Sequence, residues 1–216
     1  MPTLLITFVC FCIFLILGIR FKKVIDPIVY YIFPVALIIY CIAFPSRDLF
    51  TFVGTLSKQL LIFLLLIKPI ASILKSKTLF KVVAYRRQLG LITFWFFLTH
   101  TAGLIYLYNI FEISRYLTLK HSMGTLAGIG LLVLAITSNN YSMKLLEKNW
   151  KRVQYLVYPV LFGMLVHTSL NEYGNLIELY IIGALFIVLK GLEWKDISFR
   201  KHHETAETEN EPTKPV

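Results

Sequence analysis

Two histidines stand inside long apolar runs: His100 in WFFLTHTAGLIY (95–106) and His167 in YPVLFGMLVHTSL (158–170). An imidazole in such surroundings costs free energy unless its polar atoms find partners. For one buried histidine, a hydrogen bond to a neighbouring helix is a sufficient account. Two of them invite a comparison of depth. His100 lies 13 residues past Arg87, and His167 lies 15 residues past Arg152. At about 1.5 Å per helical residue, both rings sit roughly 20 Å from a basic cap. Two neutral imidazoles at one depth, on parallel helices, can hold one flat ligand between them. Haem matches, because its iron takes an imidazole on each face. A zinc site usually needs three or four protein ligands, and no carboxylate or cysteine accompanies the pair at that depth. Cys10, Cys12 and Cys41 lie in apolar segments, and the Cys-x-Cys spacing is not that of a zinc site.

The elements that carry these histidines are read from composition. Of 216 residues, 57% are hydrophobic and 16% charged, and the mean hydropathy is +0.69. A soluble domain has no use for that much apolar surface, so the bilayer is the solvent. The net charge is +10, but it falls in short clusters between apolar runs. That is the pattern of cytoplasmic loops rather than of a nucleic-acid surface.

A spanning helix needs about 20 mainly apolar residues, and seven segments qualify: 3–19, 28–45, 52–74, 88–110, 123–139, 153–171 and 175–193. The first lacks an N-terminal basic region and a small-x-small cleavage site, so it reads as an uncleaved helix rather than a signal peptide. The expected fold is an all-α integral membrane bundle of about seven helices. Three regions follow: an extra N-terminal helix and basic loop (1–27), a helical core (28–198) and a polar tail (199–216). The end of that tail, HHETAETENEPTKPV, is acidic and should be disordered; its His202 and His203 read as solvated. Alternate loops hold Arg20, Lys22 and Lys23; Lys75, Lys77, Lys81, Arg86 and Arg87; Lys144, Lys148, Lys151 and Arg152; and Lys195, Arg200 and Lys201. The intervening loops hold only Arg47, then Arg115 and Lys120. The asymmetry places the N-terminus outside and the C-terminus in the cytoplasm.

Around the histidines, Gly163 lies four residues before His167 and Gly103 three after His100, on shared helix faces. Both are expected to make room for a porphyrin edge, with Trp95, Phe96, Phe97, Tyr106 and Tyr158 as apolar walls. Haem propionates would point outward to Arg115, Lys120 or His121. Lys58, Lys68 and Glu178 lie near enough to span ends to snorkel. The chain carries no GxGxxG, P-loop or Cys-x-x-Cys-His motif.

At YRRQLGL (85–91), THTAG (99–103), AITSN (135–139) and NWKRVQYLVYPVLFGMLVH (149–167) the sequence resembles the ferric-reductase-like transmembrane domain. It is most similar there to the haem-binding membrane subunits of bacterial periplasmic methionine sulfoxide reductase systems (the MsrQ/YedZ-like group). FVGTLSKQLLIFLLLIKPI (52–70) fits the same pattern of Gly and Pro, and the likeness covers about residues 30–195. The resemblance implies b-type haem held by His100 and His167, an electron-transfer role without a catalytic centre, and a location in the bacterial inner membrane. It implies a quinol or a flavin reductase as donor and a periplasmic molybdenum-cofactor reductase as partner. Bound FMN is compatible with it, though no motif for it is present. Two-haem relatives carry further histidines toward the cytoplasmic side. Here the corresponding positions hold Gln154 and Arg86, so one haem per chain is expected. Two other readings stay open: a transmembrane metalloreductase feeding ferric iron or another small outer acceptor, and a haem-free transporter or assembly factor. The basic inner loops suit a flavin phosphate, an acidic donor protein or anionic membrane lipid.

Overall fold

A computed structural model of the chain describes residues 27–108, 118–170, 177, 180–193 and 195. The described residues are helical almost throughout. Helix α1 covers Ile28–Ala43, its first turn Ile28–Ile32 wound as a π-helix. Then come α2 (Arg47–Leu74), the short α3 (Lys77–Val83) and α4 (Arg86–Tyr108). Next are α5 (Leu119–Ile136), the short α6 (Asn140–Leu146) and α7 (Lys148–Gln154), and α8 (Val157–Ser169). A last helix, α9, runs over 180–193.

Local chemistry sets the boundaries. The Ser46 hydroxyl accepts the Leu49 N–H at 3.2 Å, and Asp48 in the first turn complements the helix dipole of α2. That helix ends where Lys75 turns left-handed, at φ 50°. Asn139 Oδ1 accepts the Ser142 N–H at 2.8 Å and opens α6. Helices thus stand where the second to seventh segments were expected; the first segment, 3–19, lies outside the described residues. Among those described, α2, α4 and α5 are long and apolar enough to cross a membrane, so the protein is a multi-pass membrane protein. The segment expected over 153–171 is interrupted. Pro159 has no N–H to give to the Tyr155 carbonyl, and the helix breaks at Tyr155–Leu156, leaving α8 with 13 residues. At 1.5 Å per residue that is about 20 Å, short of the ~30 Å hydrocarbon core.

Four helices form a ring of neighbours. α2 packs most extensively on α4 and α5 on α8, while α4–α5 and α2–α8 contacts close the circle. α4 and α8, the two histidine helices, are not among the substantially packed pairs and stand diagonally across it. One apolar core joins Leu61 and Leu65 of α2, Ala127, Leu131 and Leu134 of α5, and Val160, Leu161, Met164 and Leu165 of α8. A second joins Val29 of α1 and Leu64 of α2 to Tyr85, Leu89, Leu91 and Ile92, at and within the start of α4. The outer faces stay apolar: Ile38, Ile42, Ile129, Ile136, Ile181 and Val188 are all exposed. In water that surface would be unfavourable; against lipid it is the expected face.

The pairs run antiparallel. Ser57 donates its hydroxyl to the Thr93 carbonyl at 2.9 Å, so α2 descends as α4 climbs. In the other pair, Gln154 Nε2 donates to Thr137 Oγ1 at 3.2 Å at one end, and Gly163 meets Met123 further along. A Cβ on Gly163 would come 3.1 Å from the Met123 carbonyl oxygen and 3.5 Å from Ala127 Cβ. Small residues let membrane helices approach in this way. Gly163→Leu should therefore push α8 off α5 and lower stability by on the order of 1–3 kcal/mol. Gly183→Leu, whose new Cβ would meet nothing within 4 Å, should leave it unchanged. Thermal unfolding of the detergent-solubilised variants distinguishes the two; equal melting would refute the crossing.

Candidate functional site

His100 projects from α4 toward the first turns of α2, where its Nδ1 lies 2.8 Å from the Phe50 carbonyl oxygen. A carbonyl can only accept, so Nδ1 carries the proton and donates it. In a neutral imidazole the other nitrogen, Nε2, is then a bare lone pair. The close approach depends on Gly54: a Cβ there would come 2.5 Å from His100 Nδ1. No side chain fits at that position without moving the ring.

His167 repeats the device on the other helix pair. Its Nδ1 donates to the Lys120 carbonyl in the first turn of α5, at 2.7 Å. A Cβ on Gly124 would come 2.8 Å from that nitrogen. In both cases the accepting carbonyl lies four residues before the permissive glycine, in FTFVG (50–54) and KHSMG (120–124). One helical turn is the spacing needed to bare the carbonyl beside the missing side chain.

The two rings are level. Phe97, one turn before His100, fills the notch at Gly128, one turn after Gly124. Two Nδ1-protonated imidazoles therefore sit at one end of a four-helix ring, on diagonal helices, each tethered to the helix beside it. Such an arrangement leaves a lone pair on the Nε2 of each ring. Among the described residues, no group of three or more His, Cys, Asp or Glu side chains gathers that could hold a metal ion.

The other expected site residues fall in different places. Gly103 faces the Phe50 ring, which fills the space a Cβ would take, and Gly163 serves the α5–α8 crossing. The structure gives both a packing neighbour; the glycines beside the rings are Gly54 and Gly124. His121 stands at the mouth of the site, edge-on to His167 with ring centroids 6.4 Å apart, and its Nδ1 is hydrogen-bonded to Thr118 Oγ1 at 2.7 Å. Lys120 contributes its carbonyl; Arg115 and Glu178 lie outside the described residues. Of the aromatic walls, Phe97 joins the central core, Trp95 and Phe96 turn toward the α1 side, and Tyr106 is 73% exposed. Tyr158 packs one level away on Phe186 and Tyr155.

One lysine differs from the snorkelling expectation, and a second keeps to it. Lys58 is buried, at 8% exposure. Lys68 pairs with the buried Glu193 of α9 at 3.5 Å, and Lys190 pairs with the same carboxylate at 2.7 Å. At the end of the bundle away from the histidines, Gln154 is hydrogen-bonded to Thr137, and Trp150 Nε1 donates to the Thr137 carbonyl at 2.9 Å.

The model of the family described as the ferric reductase like transmembrane component matches residues 53–165, a stretch that includes Gly54, His100 and Gly124. The haem-binding subunit MsrQ of protein-methionine-sulfoxide reductase from Brucella ovis is 31% identical over 156 residues, covering 70% of this chain and 68% of the relative. Its counterpart in Brucella anthropi is 34% identical over 122 residues, covering 54% and 55%. No solved structure matches the chain. With more than half its length matched by that model, and with relatives of this kind, the chain belongs to the ferric-reductase-like transmembrane family, in its MsrQ/YedZ-like group.

Proposed function

We propose that the chain is the membrane electron-transfer subunit of a methionine sulfoxide reductase system, holding one haem b between His100 and His167. One observation carries the reading: both imidazoles commit Nδ1 to a backbone carbonyl and keep Nε2 for a ligand. A hydrogen bond of this kind fixes the tautomer of a metal-ligating histidine and raises its basicity. The donor set fits haem, whose iron His100 and His167 would hold and which would supply one-electron chemistry when bound. It suits zinc poorly, since two nitrogens leave half of a tetrahedral shell unfilled.

This chain's own residues then have defined tasks. Phe50 and Lys120 orient the rings through their carbonyls, and Gly54 and Gly124 let the rings reach them. The apolar core of α2, α5 and α8 keeps water from the site. His121, at the outer rim, answers the propionates, and Arg115, in the loop before α5 in the sequence, is the second candidate for them; Gly103 and Gly163 hold the helices at the spacing a porphyrin needs. Electrons enter from a quinol or flavin donor on the cytoplasmic side and leave to a periplasmic molybdenum-cofactor reductase, with the N-terminus outside and the protein in the inner membrane. The names of the relatives support the haem and the partner.

The reduced protein should show a low-spin b-type optical spectrum with about one haem per chain, which His100→Ala and His167→Ala each abolish. Full haem content in either variant would sink the pairing, and two haems per chain would sink the reading of Arg86 and Gln154. The cradles make a finer prediction. Gly54→Val and Gly124→Val should each weaken haem affinity by roughly 10–100-fold, the usual cost of losing an outer-shell partner. Gly90→Val, where a new Cβ would meet nothing within 4 Å, should not. Rates of haem transfer to apomyoglobin would show the contrast.

A further inference from the structure

The short helices α6 and α7 sit where two spans end. α5 closes at Ile136, α4 opens at Arg86, and both are long and apolar enough to cross a membrane. Asn140, the first residue of α6, lies four residues past Ile136, and its Oδ1 accepts an Arg87 guanidinium N–H at 2.5 Å. The Trp150 indole N–H, donating to the Thr137 carbonyl at 2.9 Å, ties α7 to the same end of α5. Between these ties the chain turns sharply at Glu147, with φ 45° and ψ −116°, a backbone conformation that persists only where its surroundings impose it. The α6–α7 elbow is therefore held in one shape at the membrane boundary.

One side of α6 faces the end of α5 through Ser142, whose hydroxyl donates to the Ile136 carbonyl at 3.2 Å. Tyr141, Lys144 and Leu145 share another face, three and four residues apart. Tyr141 is 75% exposed and Leu145 68%. Lys144, Lys148, Lys151 and Arg152 are exposed as well, and Glu147 is the one acidic residue between Asn139 and Leu156. A headgroup layer takes up such a set, with the apolar parts below the phosphates and the cations among them. An acidic soluble protein would match the charge alone and would leave the tyrosine and leucine, level with the span ends, unaccounted for. We infer that the α6–α7 elbow binds anionic phospholipids of the bilayer around the protein. Tyr141 and Leu145 enter the boundary with the acyl chains, and Lys144, Lys148, Lys151 and Arg152 engage the lipid phosphates. The inference uses only the position of the helices in the membrane and stands apart from the proposed haem.

The test puts a fluorescent label on the elbow, at Met143→Cys in full-length protein carrying Cys10→Ser, Cys12→Ser and Cys41→Ser, and measures its quenching in nanodiscs. The discs hold spin-labelled phosphatidylglycerol or spin-labelled phosphatidylcholine at the same mole fraction. Phosphatidylglycerol should quench about fivefold more effectively, the local enrichment expected from a single basic contact. Lys144→Gln, Lys148→Gln, Lys151→Gln and Arg152→Gln combined should bring the two lipids to parity. Lys144→Arg, Lys148→Arg and Lys151→Arg combined should keep the preference. Tyr141→Ser with Leu145→Ser should lower quenching by both lipids. Equal quenching with all four native cations in place overturns the assignment, whether or not the variants fold. A preference that survives the four glutamines overturns it too. Quenching by neither lipid also overturns it, and gives the face to a soluble partner.

Discussion

The hydrogen bond from imidazole Nδ1 to a helix carbonyl is the constraint on which the rest of this structure depends. A carbonyl inside a helix is ordinarily shielded by the side chain one turn along, and its lone pair is already shared with an N–H. Two things must coincide to reach it: a glycine at the shielding position and a neighbouring helix close enough to deliver a ring. Gly54 and Gly124 meet the first condition, and the tight α2–α4 and α5–α8 pairs meet the second. The pairs are tight because their contact faces are small or interlocking: Ser57 on Thr93, Gly163 on Met123, and Gly130 under Val160. Packing and site are therefore one problem. A change that separates either pair would free a ring before it unfolded a helix.

The same bond bears on a choice that the residues alone left open. A buried histidine bonded to a neighbouring helix and a buried histidine bound to a ligand looked like competing accounts. In the structure the first describes Nδ1; the proposed function puts the second at Nε2. An untethered imidazole could rotate or present either tautomer. Tethered, it offers its lone pair in one direction, so little order remains to be imposed when a ligand arrives.

How much was legible beforehand follows the same physics. The spans could be read because twenty apolar residues mean one thing in a bilayer, and His100 and His167 because a polar ring there needs a reason. Their shared depth followed from counting residues along two helices. The glycines against the imidazole rings were not legible, because the reading stayed on the histidines' own helices. Gly103 and Gly163 are near in sequence, whereas the room comes from Gly54 and Gly124 across an interhelical contact. The signal existed in the matching FTFVG and KHSMG spacing, but only the antiparallel pairing gives it meaning. Lys58 was placed near a span end by residue count. The helix in fact begins at Arg47, earlier than the apolar run, which carries Lys58 inward. The break before α8 was announced by Pro159, whose effect falls four residues upstream, where the chain still looks helical.

The two ends of the ring hold different kinds of interaction, and the difference bears on how the site can work. At the histidine end the polar contacts are the two tethers, with His121 and Thr118 beside them. At the other end, Glu193 joins Lys68 and Lys190, Gln154 and Trp150 both reach Thr137, and Arg87 reaches Asn140 at 2.5 Å. Those links tie α2 to α9, α5 to α7, and α4 to α6. They occupy with polar bonds the level at which Arg86 and Gln154 stand where two-haem relatives carry histidines. Between the ends lie Leu61, Leu65, Leu131, Leu161 and Leu165, a close-packed aliphatic core that resists local shifts. In the proposed function, a centre held by two short tethers above such a core would move little when its charge changed. Small movement on a change of charge is what the proposed electron-transfer role requires.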